Sequence, residues 1–281
     1  EYVGGLDVFG FRQVFSQVGM LTENCAVAFG GMHAVLTDSD LIVHDGNSAR
    51  SIADRKVRRN LFNRINTNRF KRVFVTADYR NREVLFCIPE YGHDFPNLAY
   101  AWNWAEDSFD IRDLSGEKSF GQHGIIPGTS VTYDTDSDTF DAATGAFDEE
   151  TYNPSQTRVL LFDSGAKRAY QNETGETFNG TAMTCYAVRS GMTLSKDLAQ
   201  IKRIKRLFPN VTGGTSDTLT FRIGARAAVG SDTTWHGPYS VDYKLDVRIS
   251  ARIIDLEVSY AGTQTFRFWG LGVEYDNDGN R

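Results

Sequence analysis

Four short runs of apolar residues between Arg72 and Leu114 constrain the fold of this chain more than any other stretch. The runs have five to seven residues each, are rich in β-branched and aromatic types, and cover residues 71–77, 82–88, 98–104 and 108–112. Turn formers separate them, and short linkers force neighbouring strands to run antiparallel. A single four-stranded meander cannot bury both of its apolar faces. It must therefore stack on other sheets, as the blades of a β-propeller do.

The rest of the chain favours the same mainly β class. Its 281 residues, with 26 glycines and 12% aromatic content, suit many strands and turns, and 6 prolines are too few for a linker-rich protein. We predict propeller-like stacked antiparallel meanders in residues 1–195, with one short helix at 51–66 and an acidic insert at 129–157. Residues 196–281 are predicted to form a C-terminal antiparallel β module that closes the propeller or packs on it.

The sequence predicts some strands more clearly than others. Residues 24–29, 34–37 and 41–44 indicate half a blade, residues 158–162 and 168–171 a hairpin, and residues 116–126 only partial strand character. Residues 198–208 fit either a helix or an edge strand, and Pro209 is expected to end either one. Clear alternation returns in four later runs, at residues 219–223, 241–249, 254–260 and 266–275.

The three cysteines are far apart and odd in number, so we expect no disulfide framework. Cys25, Cys87 and Cys185 are each predicted to be small buried apolar residues. No run approaches about 18 apolar residues and no basic-then-apolar leader opens the chain, so a soluble protein without a membrane segment is expected. The chain begins at Glu1 rather than Met, as a processed or partial chain would.

Charge is segregated along the chain, although the net charge is only −6. Residues 129–157 carry seven acids and no base, and outside them 29 acids nearly balance 30 bases. Residues 50–72 carry nine bases and one acid, Asp54. Such segregation indicates surfaces that meet partners of opposite charge.

The basic segment coincides with the predicted helix. Ser51 and Asp54 resemble a capping box, and Val57, Leu61 and Ile65 form one apolar stripe opposite the bases. The basic face has three interpretations: phosphate binding, a solvated surface, or pairing with an acidic neighbouring subunit. The last two are favoured because no aromatic residues interleave with the bases. The candidate residues for this patch are Arg55, Arg58, Arg59 and Arg64.

The acidic insert partly resembles a calcium loop. Asp134, Asp136 and Asp138 have the 1-3-5 spacing of an EF-hand, but Thr139 replaces the required Gly and Gly145 the required Glu. A weak calcium site is one alternative, and a solvated acidic hairpin is favoured over it. We predict no metal, and we assign Asp134, Asp136, Asp138 and Asp141 as a charge patch at a rim or subunit interface.

No catalytic constellation is present in the sequence. The five histidines are scattered, and no zinc, nucleophile-elbow or phosphate-loop motif occurs. We therefore predict that the chain is not an enzyme and has no cofactor.

Several segments, in order, resemble the tail proteins of short-tailed bacteriophages, the nozzle (tail tubular protein B) and packaged-DNA stabilisation family. These segments are residues 17–19, 40–52, 71–75, 101–114, 133–141, 206–213 and 270–281. The resemblance lies in the residue types of these segments and in their order along the chain. Members of the family are often longer.

The resemblance implies a virion protein of the tail, built on a β-propeller and without an active site. It implies a homo-oligomer, six-fold in symmetry, that forms a ring or tube below the portal and adaptor and near tail-fibre proteins. DNA would be retained and then conducted through this tube during ejection, without sequence-specific binding. Whether the acidic insert lines the channel is left open.

The alternative function is a glycan-binding propeller of the lectin or tail-spike type. Such a protein needs exposed tryptophans clustered on one rim beside paired carboxylates. The chain has four tryptophans, at positions 102, 104, 235 and 269.

Overall fold

A computed structural model of the protein describes residues 13–15, 19–125, 157–196, 199–213 and 219–278. The described part is mainly β, with antiparallel sheets and one α-helix. The chain divides into two compact units, residues 1–174 and 175–281. The boundary predicted at 195/196 falls inside the second unit.

The first unit opens with a four-stranded antiparallel meander in sequential order. Its strands are β1 (Ala26–Phe29), β2 (Met32–Leu36), β3 (Leu41–His44) and β4 (Ala49–Ser51). The prediction of half a blade was wrong because β4 was missed. This strand has only three residues, all exposed, so it carries no alternation, although Ser51 pairs with Ile42.

The single helix, α1 (Arg55–Arg64), follows β4 and is shorter than predicted. Ser51 is not its cap, because that residue belongs to β4. The cap is Asp54, whose side chain accepts a hydrogen bond from the Val57 backbone N–H at 2.7 Å. Helical geometry ends at Arg64, since Ile65 is extended. The apolar stripe is confirmed: Leu61 is fully buried, and Val57 and Ile65 pack against the same core.

The predicted central meander is confirmed. It consists of β5 (Phe74–Asp78), β6 (Glu83–Ile88), β7 (Leu98–Asn103) and β8 (Ser108–Asp113), again in sequential order. The first strand begins three residues later than predicted, because Phe70–Arg72 form a 3₁₀ turn. Arg82 and Asp107 adopt positive φ in the two tight turns.

A three-stranded sheet completes the described part of the first unit. Its strands are β9 (Lys118–Ile125), β10 (Thr157–Asp163) and β11 (Arg168–Gln171), with β10 in the middle. The β10–β11 hairpin was predicted. Residues 116–126 were expected to be only partly strand-like, but β9 covers residues 118–125 and pairs with β10, with one register shift between Phe162 and Asp163.

Strands β5, β6 and β7 of the central sheet are buried on both faces, whereas β8 is largely exposed. Val75, Phe86 and Tyr100 join a core shared with the first sheet and α1. Phe74 and Leu85, on the opposite face, join a second core with Val159 and Leu161 of β10. The expectation that this sheet must stack on others is therefore confirmed.

The second unit contains two antiparallel sheets around one core. Its strands are β12 (Thr177–Phe178), β13 (Thr181–Met192), β14 (Lys202–Gly213), β15 (Leu219–Arg226), β16 (Thr234–Ser240), β17 (Leu245–Ala251), β18 (Ile253–Gly262) and β19 (Phe266–Asn277). The larger sheet has the order β12-β13-β18-β15-β16, and the smaller one β17-β14-β19. Core residues come from both sheets, with Phe221 and Val258 from the larger and Ile204 and Val247 from the smaller.

Three predictions for this unit need correction. The ambiguous segment is a strand, and β14 continues through Pro209 to Gly213. Beyond Leu207, β14 pairs with β19 but no longer with β17. Pro209, which lacks a backbone N–H, therefore lies where β14 has a neighbouring strand on one side only.

The run at 241–249 becomes a strand only from Leu245, and β16 was not predicted. Cys185 is exposed, whereas Cys25 and Cys87 are buried as expected.

Candidate interaction surface

The outward side of α1 is the candidate functional surface of the first unit. Its members are exposed polar residues at helical spacing, and we call them the α1 surface: Arg55, Lys56, Arg59, Asn60 and Asn63. The Asp54 cap fixes the start of the helix, and buried Leu61 fixes which side turns inward. As a result Arg55 and Arg59 lie one turn apart on the same exposed side.

Two of the four predicted arginines are held by acids of the same unit. Arg58 Nη1 lies 3.0 Å from Asp40 Oδ2, and Arg64 Nε donates to Glu90 Oε1 at 2.7 Å. Burial of Arg64 opposes its charge, but its hydrogen bond and attraction to Glu90 outweigh this and raise the pKa of Arg64. These residues therefore anchor the helix and are poorly placed to meet a partner.

The bases that follow the helix are also partly neutralised. Arg69 Nε lies 2.6 Å from Asp94 Oδ1. Arg72 donates to the Asp94 backbone carbonyl at 2.7 Å and stacks on Phe95, with the guanidinium carbon 4.0 Å from the ring centroid. The nine bases of residues 50–72 thus form a much weaker cationic surface in the fold than along the sequence.

Arg55, Lys56 and Arg59 make no ion pair within the part of the chain that the structure describes, and all three are exposed. Exposed, unpaired cations can meet an acidic protein surface or a phosphate backbone. The α1 surface contains no aromatic residue, which disfavours base stacking. Its chemistry suits charge pairing with another protein.

Asp134, Asp136, Asp138 and Asp141 lie outside the described residues. Among the residues that are described, no cluster of three or more metal-ligating side chains occurs.

Sequence reasoning missed the acids that neutralise the basic segment. Asp40, Glu90 and Asp94 are distant in sequence from the arginines they contact, and only the meander topology brings them together. These three acids lie at strand ends and in a turn, and nothing in the local sequence predicts that they contact the arginines.

A histidine pair was also missed. His33 and His44 face each other across β2 and β3, with ring centroids 5.1 Å apart. Nδ1 of His44 is buried and has no hydrogen-bond partner among the described residues. Strand register, which the sequence did not fix, is the source of this pairing.

Of the four tryptophans, Trp269 alone is mostly exposed. Trp102 is fully buried, and Trp104 packs against Phe29 at a centroid distance of 4.9 Å. Trp235 is half-buried beneath Arg222, and Trp269 is 64% exposed. This arrangement offers little support for sugar stacking at a common rim.

No protein-family model matches the chain, and no curated protein matches it. In the described residues, no helix has the length and apolar character needed to span a membrane.

Proposed function

We propose that this chain is a structural subunit of a bacteriophage tail. In this proposal it forms a homo-oligomeric ring or tube below the portal and adaptor, retains DNA in the particle, and conducts it during ejection. The observation that carries the proposal is the stack of three consecutive meanders in the first unit. It agrees with the sequence resemblance to nozzle proteins.

The order of strands within the stack supports a propeller-like arrangement. Strands β1, β5 and β9 are the first and edge strands of their sheets, and β5 contacts both of the others. The Val75 N–H donates to the Asn24 carbonyl at 2.8 Å, and the Tyr79 hydroxyl donates to the Ala28 carbonyl at 2.7 Å. Successive blades of a propeller bring their first strands together around a central channel in the same way.

Subunit contacts in this proposal use opposite charges. A head-to-tail ring presents two different faces of each subunit to its neighbours. The α1 surface supplies unpaired cations for one face, and the acidic insert supplies carboxylates for the other. We favour this interface over the channel wall for the insert, because Tyr133, Phe140, Phe147 and Tyr152 favour a hairpin that packs on protein.

Imaging of the purified full chain by negative-stain electron microscopy tests the proposal. We expect rings, and we expect Arg55→Glu with Arg59→Glu to reduce the fraction of subunits in them. The matched control is Arg80→Glu with Arg82→Glu, which reverses two exposed charges on the β5–β6 turn of the same unit. A chain that remains monomeric, or rings equally sensitive to both pairs, would contradict the proposal.

The location of the insert is tested by changing Asp134, Asp136, Asp138 and Asp141 together to Asn. An interface location predicts weaker assembly, with rings that are sensitive to salt. A channel location predicts intact rings and slowed DNA release, because the carboxylates that repel DNA over about 8 Å at physiological salt are removed. Intact rings with normal release would make the insert a solvated surface.

A further inference from the structure

The inner face of β13 carries small and charged side chains at positions where β18 carries large apolar ones. Residues directly opposite each other in an antiparallel pair lie on the same face of the sheet. Three residues of β13 lie opposite core residues of β18: Cys185 with Tyr260, Ala187 with Val258, and Arg189 with Leu256. Ala187 and Arg189 therefore face the smaller sheet, yet both are exposed. The space between β13 and the smaller sheet is thus only partly filled from the β13 side.

An apolar cavity of about 320 Å³ occupies this space. Its wall includes Ile223 and Ile254 of the larger sheet and Leu207 of the smaller one, and all three are buried core residues. Ala187 and Arg189, which are exposed, line the cavity as well. The cavity therefore runs from the surface of the second unit into its core.

Two charged residues border the cavity, and only one of them has its charge compensated. The Asp255 carboxylate is fully buried and is paired with Arg226. Arg189 makes no ion pair within the part of the chain that the structure describes. The cavity thus combines an apolar inner end with an uncompensated positive charge at its exposed end.

We propose that this cavity binds a fatty acid of medium chain length, with its hydrocarbon tail between the two sheets and its carboxylate at Arg189. Small-molecule sites are mostly apolar cavities with a few polar groups that fix the orientation of the ligand. A guanidinium binds a carboxylate through charge-assisted hydrogen bonds that can be bidentate. The chemistry of the two ends of the cavity therefore matches the two ends of a fatty acid.

The volume of the cavity sets the length of the tail. At about 320 Å³ it is about twice the size of an engineered apolar cavity of roughly 150 Å³ that binds benzene. Decanoic acid has about twice as many non-hydrogen atoms as benzene, so an acid of about ten carbons matches this volume. Palmitate, whose tail is longer, should bind more weakly than decanoate.

The alternative is that Arg189 only covers apolar surface with its methylene groups while its guanidinium stays in water. In that case the cavity would bind uncharged apolar molecules as well as it binds a fatty acid. 1-Decanol separates the two interpretations, because it has the same tail as decanoate without the charge.

The inference does not rest on the proposed tail function, and the two fail separately. Decanoate binding by a chain that forms no rings would sustain the inference and contradict the tail proposal. Rings formed by a chain that does not bind decanoate would do the reverse.

Isothermal titration calorimetry of the full chain with sodium decanoate tests the inference. We expect saturable binding of one molecule per chain, with a dissociation constant of about 100 µM or lower. 1-Decanol should bind at least about fivefold more weakly, because it cannot form a charge-assisted pair with Arg189. Binding that is undetectable up to about 1 mM decanoate, or that is equally tight for the two ligands, would overturn the inference.

A variant that fills the cavity locates the tail. Ala187→Leu places a larger apolar side chain in the cavity, so the affinity for decanoate should fall at least about tenfold. The matched control is Thr184→Leu, which lies on the outer face of the same strand because side chains alternate along it, and which should leave the affinity unchanged.

A second variant locates the carboxylate. Arg189→Gln should weaken decanoate binding at least about fivefold and leave 1-decanol binding unchanged. Arg248→Gln, at an exposed arginine on β17, is the control and should change neither affinity. Circular dichroism melting checks that each variant is folded, and the comparison of the two ligands on the wild-type chain does not depend on any variant. Decanoate binding that survives both Ala187→Leu and Arg189→Gln would place the ligand elsewhere and overturn the inference.

Discussion

Single residues determine how closely neighbouring sheets approach, and Gly121 on β9 is the clearest case. A Cβ atom at this position would lie 2.7 Å from Phe74 Cε2 and 2.8 Å from Leu161 Cδ2. Real side chains do not tolerate such contacts. The absence of a side chain here therefore lets β9 pack close to β5 in the second core.

Gly121→Ala should lower the free energy of unfolding by about 1–3 kcal/mol, the usual cost of overpacking. Urea denaturation measures the change. Gly124→Ala is the control, because the nearest atom to its Cβ would be Leu160 Cδ1 at an ordinary 3.6 Å. Equal effects at the two positions would contradict the close packing inferred at Gly121.

In the second unit, the residue with the most marked environment is Asp255, a fully buried carboxylate. It accepts hydrogen bonds from the Gly191 N–H at 2.7 Å, from Thr233 Oγ1 at 2.9 Å and from Arg226 Nε at 2.6 Å. Burial disfavours its charge, but these partners outweigh burial and lower the pKa of Asp255 below its ordinary value of 3.8.

A lowered pKa fixes the pH dependence of this residue's contribution to stability. The stabilisation is present above the unfolded-state pKa and is lost as pH falls through the lower folded-state pKa. Asp255→Asn should lower the free energy of unfolding at pH 7 by roughly 2–4 kcal/mol, since Arg226 loses its charged partner. The difference from wild type should shrink below about pH 4.

Thermal melts at a series of pH values measure both effects, with exposed Asp242→Asn as the control. A difference between Asp255→Asn and wild type that stays constant from neutral to acidic pH would contradict the ionised state of Asp255.

At the scale of elements, helix α1 joins the first two meanders and depends on one buried side chain. Leu61→Asp would bury a charge that has no partner, at a cost of several kcal/mol. We expect the first unit to unfold or the protein to become insoluble. Asn63→Asp, exposed on the same helix, should cost less than about 1 kcal/mol.

Solubility and circular dichroism melting of the two α1 variants make the comparison. A well-folded Leu61→Asp protein with wild-type melting would contradict the assignment of Leu61 to the core.

Elements were predictable from sequence where the apolar period was long and regular. Strand β18 satisfies this condition, whereas the strands of the central meander were recognised as short apolar and aromatic runs bounded by turn formers. Strand β4 is too short to show an alternation of apolar and polar residues. The segment that contains β14 was ambiguous because the spacing of its apolar residues fits either a helix or a strand. Asp54 was recognised as part of a capping box, but its place in the box was wrong: Asp54 is the cap itself, and Ser51 belongs to β4.

At the scale of the whole molecule, we predict weak binding to duplex DNA. Few unpaired cations remain on the α1 surface, and affinity for DNA depends on the number of phosphates neutralised. We expect a dissociation constant above about 1 µM at physiological salt, measured by fluorescence anisotropy. Tighter binding with a steep salt dependence would make the α1 surface a phosphate-binding element and contradict a passive conduit.

The candidate interaction surface was only partly predictable. Helical spacing identified which side of α1 turns outward, and this follows from local sequence alone. Which of its arginines are free depends on Asp40 and Glu90, and those contacts depend on tertiary topology.

The doubly buried central sheet also has a consequence for how the chain is made. Its last strand, β8, ends at Asp113, but β10, which covers one of its faces, ends only at Asp163. At translation rates of about 5–20 residues per second, that face waits roughly 3–10 s for its cover. During this interval Phe74 and Leu85 are open to solvent, so the nascent chain exposes an apolar face that a bound chaperone would protect from aggregation.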